Sequence, residues 1–131
     1  MNIEETNDFQ LQFEKRGGLL PCITQEQSSG QILMLGYVNE KAFQETLKTG
    51  LATFWSTSRN ELWTKGKTSG DYLKIKDILV DCDQDALIYQ VELAGSGACH
   101  TKNEKGSARK SCFYRSLIQD TNNPSLKNIE P

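Results

Sequence analysis

An alternating pattern in the second half of the chain places the firmest constraint on its fold. Apolar side chains recur at every second position, at Leu87, Tyr89, Val91 and Leu93. The positions between them hold Ile88, Gln90 and Glu92. Because successive side chains of a β-strand point to opposite faces, one face of this segment is apolar and the other is mixed. The pattern therefore predicts a half-buried strand.

Further strand candidates precede this segment. Runs that are apolar, aromatic or rich in β-branched residues lie at 19–25, 31–38, 51–57, 61–65 and 72–81. The turn residues Ser28, Ser29 and Gly30 separate the first two runs, which predicts that they pair as a hairpin. Residues 113–119 fit either a short helix or a strand.

One segment has the features of a short amphipathic helix. Asn39 is a favourable N-cap, and Gly50 is a favourable C-terminal stop. Phe43 and Leu47 are four positions apart and would share one face. We predict a helix over residues 40–49. The predicted fold class is α+β, a mainly antiparallel β-sheet with one or two short helices.

The size and charge of the chain limit its organisation and its partners. Its 131 residues predict a single domain over 1–131, with frayed ends at about 1–15 and 120–131. The net charge of −2 argues against a nucleic-acid partner, so phosphate binding would have to be local. No apolar run is long enough to cross a bilayer, and residues 1–10 lack the apolar core of a signal peptide. We therefore expect no membrane partner and a cytoplasmic location.

Three carboxylates follow one another at every second position in Asp81, Asp83 and Asp85. In an extended chain all three would lie on one face and repel each other. A hard divalent cation relieves that repulsion, and oxygen ligands suit Mg²⁺. The plainer interpretation is an acidic turn between two strands.

Three of the four cysteines lie in this half of the chain, at Cys82, Cys99 and Cys112. In an extended chain Cys82 faces away from the aspartates, so we do not expect it to bind the same ion. Soft thiolates prefer zinc, and three of them leave a fourth position for water, as in catalytic zinc sites. Two alternatives stay open. The thiols could be ordinary core residues, or they could form a closed structural site with His100. Cys22 has no nearby metal-binding partner in the sequence and is interpreted as a core residue.

His100 is the only histidine of the chain and directly follows Cys99. A histidine can act as a general base near neutral pH. His100 could also be a surface residue or a zinc ligand. Since adjacent residues seldom both reach one ion, a base or a substrate contact is the preferred interpretation.

A segment rich in tryptophan, hydroxyl and cationic side chains precedes the metal candidates. Its candidate substrate-binding residues are Trp55, Ser56, Ser58, Arg59, Trp63, Lys65, Thr68 and Ser69. Arg59 can hold a phosphate with two hydrogen bonds, and Lys65 can hold one as a point charge. The tryptophans could stack on a base or fill the core, and the core is the more common role for at least one of them.

Several motifs of this chain, taken in order, resemble those of the phosphoribosyl-AMP cyclohydrolase family. They are 33–39 (LMLGYVN), 55–59 (WSTSR), 62–66 (LWTKG), 68–70 (TSG), 81–87 (DCDQDAL), 98–101 (ACHT) and 111–115 (SCFYR). Their order and most of their spacings agree with the family from about residue 16 to residue 117. The last motif adds Arg115 to the candidate substrate-binding residues.

The resemblance implies an intertwined homodimer with a mainly β fold. It implies one Zn²⁺ per subunit on Cys82, Cys99 and Cys112, with Cys82 supplied by the partner subunit. It also implies one Mg²⁺ per subunit on Asp81, Asp83 and Asp85. Family members usually have Gly at position 102 and a shorter loop from there to Ser111, whereas this chain has Lys102. Lys67 and Asp71 stand where the family often has Glu and Asn or His.

The reaction implied by the resemblance is hydrolytic opening of the N1–C6 bond in the adenine ring of 1-(5-phosphoribosyl)-AMP. The product is the formimino-carboxamide ribotide, and the step is the third of histidine biosynthesis. A zinc-activated water would attack C6, with Mg²⁺ assisting. We expect the monofunctional form, because little sequence remains for a second domain. The alternatives are a zinc-dependent nucleotide deaminase and a non-enzymatic, zinc-stabilised nucleic-acid-binding module.

Overall fold

The computed structural model describes residues 3–130, and its main feature is a four-stranded sheet. The strands of the described chain are β1 (Leu20–Glu26), β2 (Ile32–Val38), β3 (Thr53–Ser56), β4 (Glu61–Thr64), β5 (Leu73–Val80), β6 (Leu87–Leu93), β7 (Arg115–Ile118) and β8 (Ser125–Asn128). The α-helix α1 spans Glu40–Thr49, and two 3-10 helices span Ile3–Glu5 and Glu14–Arg16. The central sheet has the order β2-β1-β6-β5. The predicted α+β class is confirmed.

The alternating segment is β6, which lies inside the sheet between β1 and β5. Leu87, Tyr89 and Val91 are at most 2% exposed, whereas Glu92 on the opposite face is exposed. The predicted half-buried strand is therefore confirmed. Cys22 of β1 is fully buried, as expected for a core residue.

The predicted hairpin is β1 and β2, which run antiparallel with Leu20 opposite Val38. The pairing of β1 with β6 is parallel, with Cys22 opposite Leu87. Mainly antiparallel pairing thus holds for the sheet, with this one exception. A parallel pair needs a long crossover, and here the chain passes through α1 and β3 to β5 before β6 returns beside β1.

Helix α1 begins and ends where the capping residues predicted. The side chain of Asn39 accepts a hydrogen bond from the Ala42 N–H, and Gly50 has φ of 74°. The predicted apolar face was wrong in one position, because Leu47 is 53% exposed and Thr46 is buried instead. The Thr46 hydroxyl donates to the carbonyl of Ala42 in its own helix and also exchanges hydrogen bonds with the backbone of Thr53 in β3. Its polar group is therefore satisfied inside the core.

Two smaller hairpins complete the fold. The β3–β4 hairpin is shorter than predicted at 51–57, and its Phe54 ring lies over Gly36 of β2, where a Cβ atom would approach the ring to 2.6 Å. Residues 113–119 contain β7, which pairs with β8. Frayed ends stay a prediction, although residues 125–128 are paired here. Within residues 3–130, no helix has the length and apolar character needed to span a membrane.

Candidate active site

Two adjoining clefts bring together most of the predicted site residues. The larger has a volume of about 640 Å³, and the smaller has about 310 Å³. The larger is lined by residues that include Trp55, Ser56, Ser58, Arg59, Trp63, Lys65, His100 and Cys112. The smaller is lined by residues that include Arg59, Trp63, Lys65, Thr68, Ser69, Cys99 and His100. Arg59, Trp63, Lys65 and His100 thus form a wall common to both clefts.

The larger cleft has an aromatic side. The rings of Phe54 and Trp63 lie 5.7 Å apart at a tilt of 39°, which ties Trp63 to the core while it lines the cleft. Tyr37 and Phe113 add rings that are about half exposed. An aromatic surface of this kind can stack against a flat heterocycle.

Lys65 is the buried cation of the site. It follows β4, its backbone N–H donates to the carbonyl of Ala52, and the residue is only 7% exposed. Its ammonium group makes no ion pair with a carboxylate among residues 3–130, but its charge lowers the pKa of the nearby Cys112 thiol. A buried cation without a carboxylate favours an anion in the cleft that it faces.

Cys99 and Cys112 come together because the chain between them folds back on itself. The N–H of Cys99 donates to the Arg109 carbonyl, and the N–H of Arg109 donates to the Thr101 carbonyl, each at 3.0 Å. Lys102 and Ala108 then form an antiparallel bridge. The long loop is therefore the tip of a hairpin whose base holds the two cysteines.

The second cysteine is also fixed to the central sheet. The N–H of Cys112 donates to the Leu33 carbonyl at 2.7 Å, and the Ser111 hydroxyl donates to the Ile32 carbonyl at 2.7 Å. Both carbonyls belong to the edge strand β2. The structure thus places Cys112 by backbone contacts that do not depend on the length of the loop.

The two thiols have different electrostatic environments. Burial, together with the neighbouring Cys99, raises the pKa of Cys112 to about 11. Burial also raises the pKa of Cys99, but hydrogen bonds from Thr101 outweigh it, so that the net pKa is lowered. The Thr101 hydroxyl lies 2.9 Å from the Cys99 sulfur, and its N–H donates to that sulfur at 3.4 Å. These contacts favour the thiolate, which is the form that binds a metal.

Cys82 lies apart from the other two cysteines within one chain. It is exposed and lines a separate surface depression with Val80, Asp81 and Gln84. No residue of that depression lines either cleft. Among residues 3–130, the only metal-type side chains that converge in a group of three or more are the aspartates. A three-thiolate site would therefore need Cys82 from a second copy.

The three aspartates converge, but not in the way an extended chain would bring them together. Oxygens of Asp81, Asp83 and Asp85 lie within 4.8 Å of one another. The prediction of an extended backbone here was wrong. Residues 82–85 instead form a turn in which Gln84 has φ of 58°. The Asp81 carboxylate accepts the N–H groups of Asp85 and Ala86 at 2.9 and 3.1 Å and so closes the turn. An all-oxygen group of this size fits a hard cation such as Mg²⁺.

Two cations of the N-terminal segment already contact this group, which the sequence did not indicate. Lys15 Nζ lies 3.0 Å from both Asp83 and Asp85, and Arg16 lies 3.1 Å from Asp85. Lys15 holds the pKa of Asp85 well below its usual range, whereas burial raises the pKa of Asp81. The buried side chain of Gln84 holds the segment in place, since it donates to the Asp8 carbonyl and accepts the Gln10 N–H.

Arg115 lines neither cleft. It lies on the exposed strand β7, with its guanidinium 5.0 Å from the centre of the Tyr114 ring.

Four residues that line the clefts were given no chemical role from the sequence, namely Tyr37, Phe113, Lys67 and Lys102. Tyr37 and Phe113 belong to motifs of the family resemblance, whereas Lys67 and Lys102 are positions at which this chain departs from the family.

Comparison with known proteins identifies the family of the chain. The phosphoribosyl-AMP cyclohydrolase family model matches residues 34–114. The phosphoribosyl-AMP cyclohydrolase of Desulfatibacillum aliphaticivorans is 50% identical over 112 residues, which cover 86% of this chain and 85% of that protein. The namesake from Archaeoglobus fulgidus is 50% identical over 112 residues, covering 86% and 96%. The one from Streptococcus mutans is 49% identical over 110 residues, covering 84% and 94%. Every residue that lines the larger cleft lies within the matched segment.

Proposed function

The chain belongs to the phosphoribosyl-AMP cyclohydrolase family and is a hydrolase of C–N bonds in histidine biosynthesis, and on this premise we propose that it opens the N1–C6 bond of 1-(5-phosphoribosyl)-AMP. The observation that carries the proposal is the larger cleft, whose aromatic wall, buried Lys65 and paired cysteines all lie in the matched segment. The product is the formimino-carboxamide ribotide.

The larger cleft suits the adenine ring of this substrate. Trp63 and Trp55 offer apolar surfaces for stacking, and Ser56 and Ser58 offer hydroxyls beside them. The Ser56 hydroxyl also accepts a hydrogen bond from the backbone N–H of Arg59. This contact fixes the turn that carries the Arg59 guanidinium. A ring held against this wall would place its phosphate-bearing arms near Arg59 and Lys65, where charge-assisted contacts orient it.

Zinc would be held by Cys99 and Cys112 of one chain and Cys82 of a second, which makes the enzyme a homodimer. When bound, zinc supplies a water molecule of lowered pKa. The chain contributes the hydrogen bonds with Thr101 that favour the thiolate form of Cys99 and the contact with β2 that places Cys112.

His100 is proposed as the general base, because it is exposed in the wall common to both clefts and follows Cys99. It would take a proton from the water as the oxygen bonds to C6 of the ring. The N1–C6 bond then breaks and N1 receives a proton. C6 keeps its exocyclic nitrogen as a carboxamide, and N1 departs within the formimino group with its phosphoribosyl substituent.

Magnesium is proposed to bind the oxygens of Asp81, Asp83 and Asp85, which would displace Lys15. These carboxylates repel each other, and the turn holds them together whether Lys15 or a metal neutralises them. We also propose a cytoplasmic location, in line with a biosynthetic enzyme acting on a small-molecule nucleotide and with no nucleic-acid or membrane partner.

Product analysis tests the proposed reaction. Purified protein with added Zn²⁺ and Mg²⁺ is incubated with phosphoribosyl-AMP, and the products are separated and weighed by mass spectrometry. We expect a product heavier than the substrate by one water, without ammonia. Release of ammonia would instead support a deaminase, and strong binding to single-stranded nucleic acid without turnover would support a binding module.

A further inference from the structure

The smaller cleft is strongly cationic although the protein as a whole is acidic. Four of its lining residues are cations, namely Arg59, Lys65, Lys67 and Lys102. The one carboxylate that lines it belongs to Asp71, which accepts the N–H of Ser96. The chain carries a net charge of −2, so this local excess of positive charge is not a property of the whole surface.

Three of these four cations lack carboxylate partners in the described part of the chain. Lys67 and Lys102 make no ion pair there, and the buried Lys65 makes none either, while Arg59 has a long contact of 3.7 Å with Glu61. Like charges that converge without counter-charges repel one another, and a bound anion removes that cost. Lys65 is more than nine-tenths buried. The free-energy cost of leaving a charge unpaired is therefore larger for Lys65 than for the exposed lysines of the cleft.

The backbone fixes the positions of the two exposed lysines that line the cleft. Lys67 lies in a tight loop, because Gly66 has φ of 94° and a Cβ atom there would approach the Tyr72 nitrogen to 2.3 Å. Lys102 lies at the bridge with Ala108, below a loop tip closed by the Asn103 side chain. Both lysines are therefore placed by backbone geometry next to ordered turns.

We propose that the smaller cleft binds one of the two phosphate groups of the substrate and that Lys67 and Lys102 are its specificity-determining contacts. The inference rests on the proposed function and extends it to two residues that the family motifs do not include. The wall of Arg59, Trp63, Lys65 and His100 joins this cleft to the larger one, so a phosphate here and a ring there can belong to one molecule.

The test compares Lys67→Gln, Lys102→Gln and the double variant with Lys105→Gln. Lys105 is exposed on the same loop and does not line the cleft, which makes it a matched control. Each single change should raise KM for phosphoribosyl-AMP about fivefold to tenfold while kcat changes less than about twofold, as expected for lost charge-assisted contacts. The double variant should also raise the inhibition constant of inorganic phosphate as a competitor, and Lys105→Gln should change neither constant.

The outcomes separate this inference from the proposed function. Suppose that the wild type turns over the substrate and that every variant has the same KM as Lys105→Gln. This result would overturn the proposed phosphate site and leave the proposed reaction intact. A fall in kcat at unchanged KM would also overturn it, because the lysines would then act on the reacting centre. Absence of ring opening by the wild type would overturn the proposed function and this inference together.

Discussion

At the scale of single residues, His100 lines both clefts, and its side chain has no hydrogen-bond or ion-pair partner among residues 3–130. Replacement of His100 by alanine should lower kcat by about 10²-fold to 10⁴-fold, as expected for loss of a general base. Because the side chain is exposed, the thermal midpoint and the zinc content should stay at wild-type values. Turnover within about threefold of wild type would show that another group accepts the proton.

Lys15 is the residue with which a divalent cation must compete for the aspartates. Its ammonium contacts Asp83 and Asp85, and because Lys15 is half exposed, solvent screens both contacts. We expect Lys15→Met to tighten Mn²⁺ binding, measured by electron paramagnetic resonance of the free ion, by about threefold. Lys48→Met, an exposed change in α1, is the control. Unchanged or weaker binding would show that the metal does not replace Lys15.

At the scale of elements, the ion pair of Lys110 with Glu26 ties the segment before Cys112 to the end of β1. The contact is 2.7 Å long, and the Glu26 side chain is 14% exposed. Lys110, together with Ser29, lowers the pKa of Glu26 below its usual range. The pair therefore stabilises the fold at pH above the unfolded value of about 4.3, and this stabilisation is lost as pH falls through the lowered folded pKa.

Lys110→Met should accordingly lower the free energy of unfolding at pH 7 by about 1 kcal/mol or less, and the deficit should shrink as pH falls through the lowered pKa of Glu26. Urea denaturation at a series of pH values measures both effects. Lys76→Met is a suitable control, because its 3.6 Å contact with Glu92 is more exposed on both sides and should contribute less. A deficit that persists at low pH would mean that the loss arises from packing.

The hairpin base that holds Cys99 and Cys112 should tolerate a shorter tip. Lys102 and Ala108 are bridge partners, so replacing residues 103–107 by Asn-Gly leaves a two-residue turn of a favoured type. We expect the thermal midpoint and zinc content to remain close to wild type. Gly97→Ala should instead destabilise the protein by about 2 kcal/mol, because its Cβ would lie 2.2 Å from the Arg109 carbonyl oxygen. The opposite ranking of the two variants would contradict this role of the hairpin base.

Elements with a strong local signal were predictable from the sequence. Residues 87–93 alternate with the period of a strand, and Asn39 and Gly50 mark the ends of α1. The conformation of residues 81–85 was not predictable from side-chain spacing, because the positive φ of Gln84 and contacts with residues 68 or more positions away decide it. The cationic cleft was missed for a related reason, since Lys67 and Lys102 are 35 positions apart and meet only through the fold.

At the scale of the whole molecule, one chain does not bring its three zinc-ligand candidates together. Cys99 and Cys112 interact, whereas Cys82 is exposed in a separate depression. We propose that, in a homodimer with two-fold symmetry, Cys82 of each chain joins the paired cysteines of the other. The proposed sharing makes a quantitative prediction for mixed dimers of two inactive variants.

Cys82→Ser and Cys112→Ser should each be inactive alone and should complement each other when coexpressed. If the two chains are equally abundant and pair at random, about half of the dimers contain one chain of each kind. Two-fold symmetry gives each dimer two sites. One of their two sites combines an intact Cys82 with an intact Cys99 and Cys112, and the other site has both lesions. Activity should therefore recover to about a quarter of wild type, and zinc bound per dimer should rise with it. If each chain built its own zinc site, every site would keep one lesion, and coexpression would restore neither activity nor zinc.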